Sequence, residues 1–198
     1  MKKIICIVGM PGSGKSVVAD ELVNSGFFYL RFGQITLDKI KEEGLDISEA
    51  NEKKTREGFR EKYGMGAFAI LNIPKIDEAL EKSDVVVDGL YSWTEYKILK
   101  ERYRDVMRVL AVFAPPETRY TRLETRIGEK DSANRFRPLT REEAKARDYS
   151  EIENIEKGGP IVMADFTIIN TGTKEQLKNK VQEILLLINK HEKQHLSR

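Results

Sequence analysis

Between Gly9 and Ser16 the chain reads GMPGSGKS. This spacing, G-x-x-x-x-G-K-[ST], is one that holds phosphate. Gly9, Gly12 and Gly14 let backbone N–H groups turn inward around phosphate oxygens, with Met10, Pro11, Ser13 and Val17 completing and following the cradle. Lys15 brings a cation to the β- and γ-phosphates, and the Ser16 hydroxyl is a ligand for Mg²⁺. The helix that starts here adds its positive N-terminus. In a chain of 198 residues the motif arises by chance on the order of 1% of the time. A second acidic element, VVVDG, places Asp88 at the end of an apolar run. At the carboxyl end of a parallel strand that carboxylate can hold Mg²⁺ directly or through water; the alternative is a turn aspartate before Gly89.

Phosphoryl transfer also needs positive charge around the moving group. Arg119, Arg122 and Arg126 recur at i, i+3 and i+7, one helical face. Arg119 and Arg122 have no acid at helical spacing, and Arg126 has only Glu129. The expectation is an arginine face that meets an anion; distant acids are the rival partners. Arg135 and Arg137 lie in GEKDSANRFRPL, residues 128 to 139, which reads as a mobile loop able to close over a nucleotide. Arg147 has Glu143 and Glu151 within helical reach, so an ion pair competes with any ligand there. Arg56 and Arg60 carry the same ambiguity beside Glu52 and Glu57.

The elements that must position these groups alternate. Residues 3 to 8, FFYLRF at 27 to 32, DVVVDG, VMRVLAVF and DFTIIN read as five strands. KSVVADELVNSG, SWTEYKILKERY, PPETRYTRLETR, TREEAKARDYSEIENIEKGG and TKEQLKNKVQEILLLINK read as helices. Thr140 with Glu143, and Thr173 with Gln176, are capping boxes. Leu177, Val181, Ile184 and Ile188 form one stripe that docks the last helix on a sheet. A mostly helical insertion spans about 36 to 82, with breaks at Gly44 and at Gly64 to Gly66. Strands alternating with helices predict one α/β domain, a parallel sheet covered on both faces.

Composition agrees with a globular enzyme or binding protein. Hydrophobic residues make up 40%, charged residues 33%, and the net charge is +2. That charge is too small to argue for nucleic acid or membrane, and the lack of an aromatic-interleaved basic stripe argues against polynucleotide. No stretch has transmembrane length or signal-peptide pattern, so a cytoplasmic location is expected. The single cysteine, Cys6, sits in the apolar run IICIV and reads as a core residue. HEKQH, residues 191 to 195, matches the zinc-protease pattern H-E-x-x-H, but its place in a polar tail makes a frayed terminus the better reading.

GMPGSGKS, FGQITLDKI, REKYGMGAFA, VVVDGL, TRYTRLETR, ARDYSEI and ADFTIINTGT together resemble the P-loop small-molecule kinases, the nucleoside monophosphate and dephospho-CoA kinases. They are most similar to a prokaryotic dephospho-CoA-kinase-like, adenylate-kinase-like family. The resemblance implies a three-layer P-loop NTPase sandwich, with a five-stranded parallel sheet of order 2-3-1-4-5 and helices on both faces. It implies ATP and Mg²⁺ as cofactors, an acceptor region in the insertion near 36 to 82, and an arginine lid near 127 to 147. It puts the donor base near Asn170 to Thr173, with Gly172 between them. The residues expected to carry catalysis are Lys15, Asp88, Arg122 and Arg126, with Arg122 and Arg137 on the nucleotide.

The chain departs from that pattern on the acceptor side. Gly33 is followed by Gln34 where such kinases have aspartate, and Leu37 stands where they have arginine. After DGL come Tyr91 and Ser92 in place of proline and arginine. A hydroxyl acceptor benefits from a carboxylate base; Gln34 cannot serve, and Asp38 is the substitute. A phosphate acceptor needs cations instead, and Arg31 and Arg60 are the candidates. The expected activity is a small-molecule phosphotransferase acting on a nucleotide or nucleotide-like acceptor. A nucleotide-binding module or slow NTPase with an altered acceptor site is the alternative, and monomer and homodimer both stay open.

Overall fold

The computed structural model describes residues 2–125 and 139–196, with side chains described up to 190. Five parallel strands, β1 (Ile4–Val8), β2 (Phe28–Arg31), β3 (Val85–Asp88), β4 (Met107–Phe113) and β5 (Phe166–Ile169), form one sheet of order β2-β3-β1-β4-β5. Between them run α1 (Lys15–Asn24), α2 (Gln34–Glu42), α3 (Glu49–Tyr63), α4 (Ala67–Lys82), α5 (Trp93–Tyr103), α6 (Pro116–Glu124), α7 (Arg141–Ile155), α8 (Gly158–Val162) and α9 (Lys174–Leu196). The expected order and parallel pairing hold.

Strand alternation builds two cores from one sheet. Ile4, Cys6, Val8, Val85, Val87, Met107, Val109 and Ala111 face one way, onto Phe68 and Ile76 of α4 and Leu99 of α5. Ile5, Ile7, Val86, Leu110 and Val112 face the other, onto Val18 and Leu22 of α1 and Leu177, Val181 and Ile188 of α9. The central strand β1 is buried along its whole length, which is why it reads as a continuous apolar run. Cys6 is fully buried in it, and burial pushes its thiol pKa up.

The insertion after β2 is three helices, with Gly44 and Gly64 at their ends. Two elements differ from expectation. The helix begun at Thr140 stops at Ile155, because Glu156 turns left-handed (φ 55), and a separate short helix, α8, follows. The last helix continues to Leu196, past the end expected near Lys190; the side chains of His191 and His195 lie outside the described residues. Loop 128–138 and Arg126 also lie outside them.

α5 starts at a capping box that the pattern Ser92-x-x-Glu95 carries in the sequence. Ser92 Oγ accepts from the Glu95 N–H, and Glu95 Oε2 accepts from the N–H groups of Tyr91 (2.9 Å) and Ser92 (3.0 Å). Glu95 is buried, and burial pushes its pKa up to about 7 against the pull of those N–H bonds and of Arg60. The folded pKa lies above the unfolded one. The native state therefore holds the proton more tightly, and the stability this contributes is full below the unfolded pKa and lost as pH rises through about 7. Glu95→Gln keeps an acceptor on the cap and removes the titration. Urea denaturation is expected to find this variant more stable than the parent at pH 8, by on the order of 2–3 kcal/mol, with the gap closing by pH 5.

Candidate active site

The cradle lies between β1 and α1, at the carboxyl edge of the sheet. Its glycines are imposed by contact as well as by backbone. A Cβ on Gly12 (φ 77) would stand 2.7 Å from the Arg119 carbonyl, and one on Gly14 (φ 105) 2.4 Å from Asn170 Nδ2. Lys15 Nζ donates to the carbonyls of Gly9 (2.9 Å) and Met10 (3.1 Å), which pins the ammonium across the mouth of the loop. Burial pushes its pKa down to about 7; Lys157 adds to the fall, and Asp88 and Glu151 oppose it. The Ser13 hydroxyl is buried in the cradle with no hydrogen-bond partner among the described residues.

Asp88 ends β3 in register with Arg31 of β2 and Ile7 of β1, so its carboxylate stands at the edge where the cradle opens. One of its oxygens accepts from the Tyr29 hydroxyl at 2.9 Å. Ser16 stands in the first turn of α1, and its hydroxyl and the Asp88 carboxylate are the oxygens that could hold Mg²⁺. No cluster of three or more His, Cys, Asp or Glu side chains exists among the described residues. Two protein oxygens suit Mg²⁺, which keeps waters and takes phosphate oxygens for the rest of its octahedron.

The arginine face expected on α6 divides. Arg119 is a structural residue, which corrects its reading as an anion-binding group. It is 4% exposed and forms a two-pronged pair with Asp148 of α7, at 2.8 Å and 2.5 Å. Two more of its N–H groups donate to the carbonyls of Ala114 and Pro11, both at 3.1 Å. Tyr120 donates to the same carboxylate at 3.0 Å. The partner is 29 residues away, beyond any local spacing rule. Arg122 does keep the expected character. One nitrogen donates to the Asn170 carbonyl at 3.1 Å, another is buried without a partner, and no carboxylate pairs with it among the described residues. Burial lowers its pKa. Asn170 ties this corner together, donating from Nδ2 to the Ser13 carbonyl at 2.8 Å. Gly172 follows at the exposed turn into α9. Arg135 and Arg137, like Arg126, fall outside the described residues.

Arg147 is in the ion pair that its spacing allowed, its Nε 2.9 Å from Glu151 Oε1. Glu151 also takes Lys157, a buried lysine that the sequence reading passed over. Lys157 lies just past the left-handed Glu156, with its ammonium 4.4 Å from the centre of the Tyr91 ring.

On the acceptor side, Gln34 opens α2 and donates to Asp38 Oδ1 at 3.0 Å, while Lys75 reaches Asp38 Oδ2 at 3.1 Å. Burial works against the Asp38 charge, but Gln34 and Lys75 hold its carboxyl below the usual range. That is the wrong direction for a base that takes a hydroxyl proton. Arg56 is engaged with Glu49 and Glu52. Arg60 packs over Phe68 at 5.7 Å and has no ion-paired acid among the described residues.

Removing one partner of the Arg119–Asp148 pair strands a buried charge. Asp148→Ala is expected to destabilise the fold by about 3–5 kcal/mol in urea denaturation. The double change Arg119→Met, Asp148→Leu is expected to recover most of that loss, which separates the cost of a stranded charge from the worth of the pair.

Three comparisons place the chain. Residues 5–156 match the model of a family described as "AAA domain". A UPF0200 protein of Thermococcus gammatolerans is 34% identical over 92% of this chain and 93% of its own length. Among solved structures, TT1252 from Thermus thermophilus superposes with a TM-score of 0.62 at 22% identity, over 93% of this chain and 97% of that one. A shikimate kinase from Bacteroides thetaiotaomicron superposes with a TM-score of 0.58 at 12% identity, over 94% and 98%. At such identities the likeness is one of fold, and that fold is the P-loop kinase fold the resemblance implied. With the cradle, sheet order and carboxyl-edge carboxylate in place, the chain belongs to the UPF0200 family and carries an AAA-type P-loop domain.

Proposed function

We propose that the protein is an ATP- and Mg²⁺-dependent phosphotransferase acting on a small nucleotide or nucleotide-like acceptor. The observation that carries this reading is the Lys15 ammonium, held by the Gly9 and Met10 carbonyls across the cradle mouth, on the same sheet edge as the Asp88 carboxylate. A triphosphate seated there meets inward N–H groups, the α1 N-terminus and Lys15. Ser16 and Asp88 are the residues that would hold Mg²⁺, which when bound offsets charge on the β- and γ-phosphates. Arg122, with its unpartnered buried nitrogen, adds charge from α6. The strategy is positioning and electrostatic stabilisation: the bond from the γ-phosphorus to the bridging oxygen breaks as one to the acceptor oxygen forms.

For the acceptor, the state of Asp38 favours a phosphate over a hydroxyl. A phosphate oxygen is already deprotonated and needs cations, and Arg31 and Arg60 are the candidates, with Gln34 as a neutral donor. A nucleoside monophosphate therefore fits better than dephospho-CoA. No helix among the described residues is long and apolar enough to cross a membrane. One observation favours the rival reading, a nucleotide-binding module or slow NTPase: the Gln34 amide is spent on Asp38 within its own helix.

Phosphorus NMR with Mg-ATP and a pool of monophosphates, nucleosides and dephospho-CoA tests this. The expected result is ADP together with a new phosphoanhydride resonance. Both are expected to fall at least 100-fold in Lys15→Ala, the scale of one preorganised transition-state contact. ADP with free phosphate alone would make water the acceptor, and turnover unchanged in Lys15→Ala would remove the proposal.

A further inference from the structure

Lys157 is a buried cation that the proposed machinery leaves unused. It is 2% exposed, and its ammonium has one ion-paired acid among the described residues, Glu151. That acid is shared: its other oxygen holds Arg147 at 2.9 Å. One carboxylate therefore serves two cations, on the helix whose Asp148 is tied through Arg119 to the cradle carbonyl of Pro11; the charges of Lys157, Arg147 and Glu151 all act on Lys15. Burying a lysine is unfavourable unless it is fully paired, and a shared carboxylate pairs it only partly. Burial does pull the Lys157 pKa down, and Lys157 with Arg147 holds the Glu151 carboxyl below its usual range although burial works the other way.

The backbone is shaped to deliver this lysine. Glu156 adopts the left-handed conformation (φ 55), which carries an energetic cost for a residue with a side chain, and so turns the chain back from α7. α8 then packs on α5, with Gly159 so near the Trp93 ring that a Cβ would come within 2.9 Å of it. The ammonium ends 4.4 Å from the Tyr91 ring centre, three residues beyond Asp88. Lys157 is thus seated by packing, whereas Arg147 sits on α7 with 52% of its side chain exposed.

We propose that Lys157 is a second phosphate-gripping lysine of this site, and that Glu151 is its internal counterion, occupying the position that a terminal phosphate oxygen of the donor takes. The proposal rests on the phosphotransfer reading above. On nucleotide entry Lys157 and Arg147 exchange the carboxylate for the phosphate. The Tyr91 face, whose hydroxyl burial keeps neutral, supports the ammonium in both states. A grip on the terminal phosphate distinguishes ATP from ADP, which a purely structural ion pair does not.

Calorimetric titration of the full chain with Mg-ATP and with Mg-ADP tests this, with thermal melts to check folding. Lys157→Met alone leaves the Glu151 charge in place, opposite Arg147 only, so the main variant is the neutral pair Lys157→Met, Glu151→Gln. It is expected to weaken Mg-ATP about tenfold and Mg-ADP less than about twofold, the scale of one hydrogen bond to a charged group. Glu151→Gln alone is expected to tighten Mg-ATP, and Lys157→Arg to stay within about threefold of the parent. Equal losses for the two nucleotides, or no loss in a folded double variant, would overturn the proposal. Failure of the unaltered protein to bind Mg-ATP at all would overturn the phosphotransfer reading and this role with it, before any substitution is compared.

Discussion

The Arg119 guanidinium is the point at which the molecule is tied together. Its five N–H donors lie in a plane, and four of them go to three separate pieces of chain: the turn after β4 at Ala114, the cradle at Pro11, and α7 at Asp148. A buried guanidinium must have its donors satisfied, so these three pieces cannot move independently without exposing or stranding charge. The cradle is held open from behind by the same contact that fixes the helix bearing Arg147 and Glu151. Arginine suits this position because its fork meets both carboxylate oxygens at once; a lysine would reach one.

The rest of the site follows from that tie and from a close approach of backbones. The cradle glycines face carbonyl and amide groups at distances that leave no room for a side chain, so the loop is shaped by its neighbours as much as by its own flexibility. Asn170 closes the other side, with its side chain on the Ser13 carbonyl and its own carbonyl on Arg122. Charge accumulates at this edge because the sheet places every strand's carboxyl end there. The two cores on either face of the sheet are apolar and self-sufficient, and they carry the stability that lets polar groups be buried at the edge.

The two halves of the site are built differently. Around the cradle, side chains are held by backbone groups, as Lys15 is by Gly9 and Met10. On the acceptor side, side chains are held by one another. Gln34, Asp38 and Lys75 form a closed set, and so do Arg56, Glu49 and Glu52.

Local pattern carried much of this into the sequence. The cradle is a contiguous motif, the strands are short apolar runs, and the capping boxes at Thr140 and Thr173 declare themselves within four residues. Asp88 is legible because a carboxylate after three valines must emerge at a strand end. The reading failed where the partner was distant or the turn was unsignalled. Nothing near Arg119 in the chain reveals Asp148, so an arginine that the fold buries looked like one awaiting a ligand. Glu156 carries no glycine to mark a left-handed turn, so α8 and the lysine it delivers were read as the tail of one helix. The amino-acid sequence determined the phosphate cradle, the parallel sheet and the identity of the charged groups, because each rests on neighbours a few residues apart. Only the tertiary structure decided which of those charges are spent on the fold and which remain for a substrate, because charge pairing is settled by proximity in space.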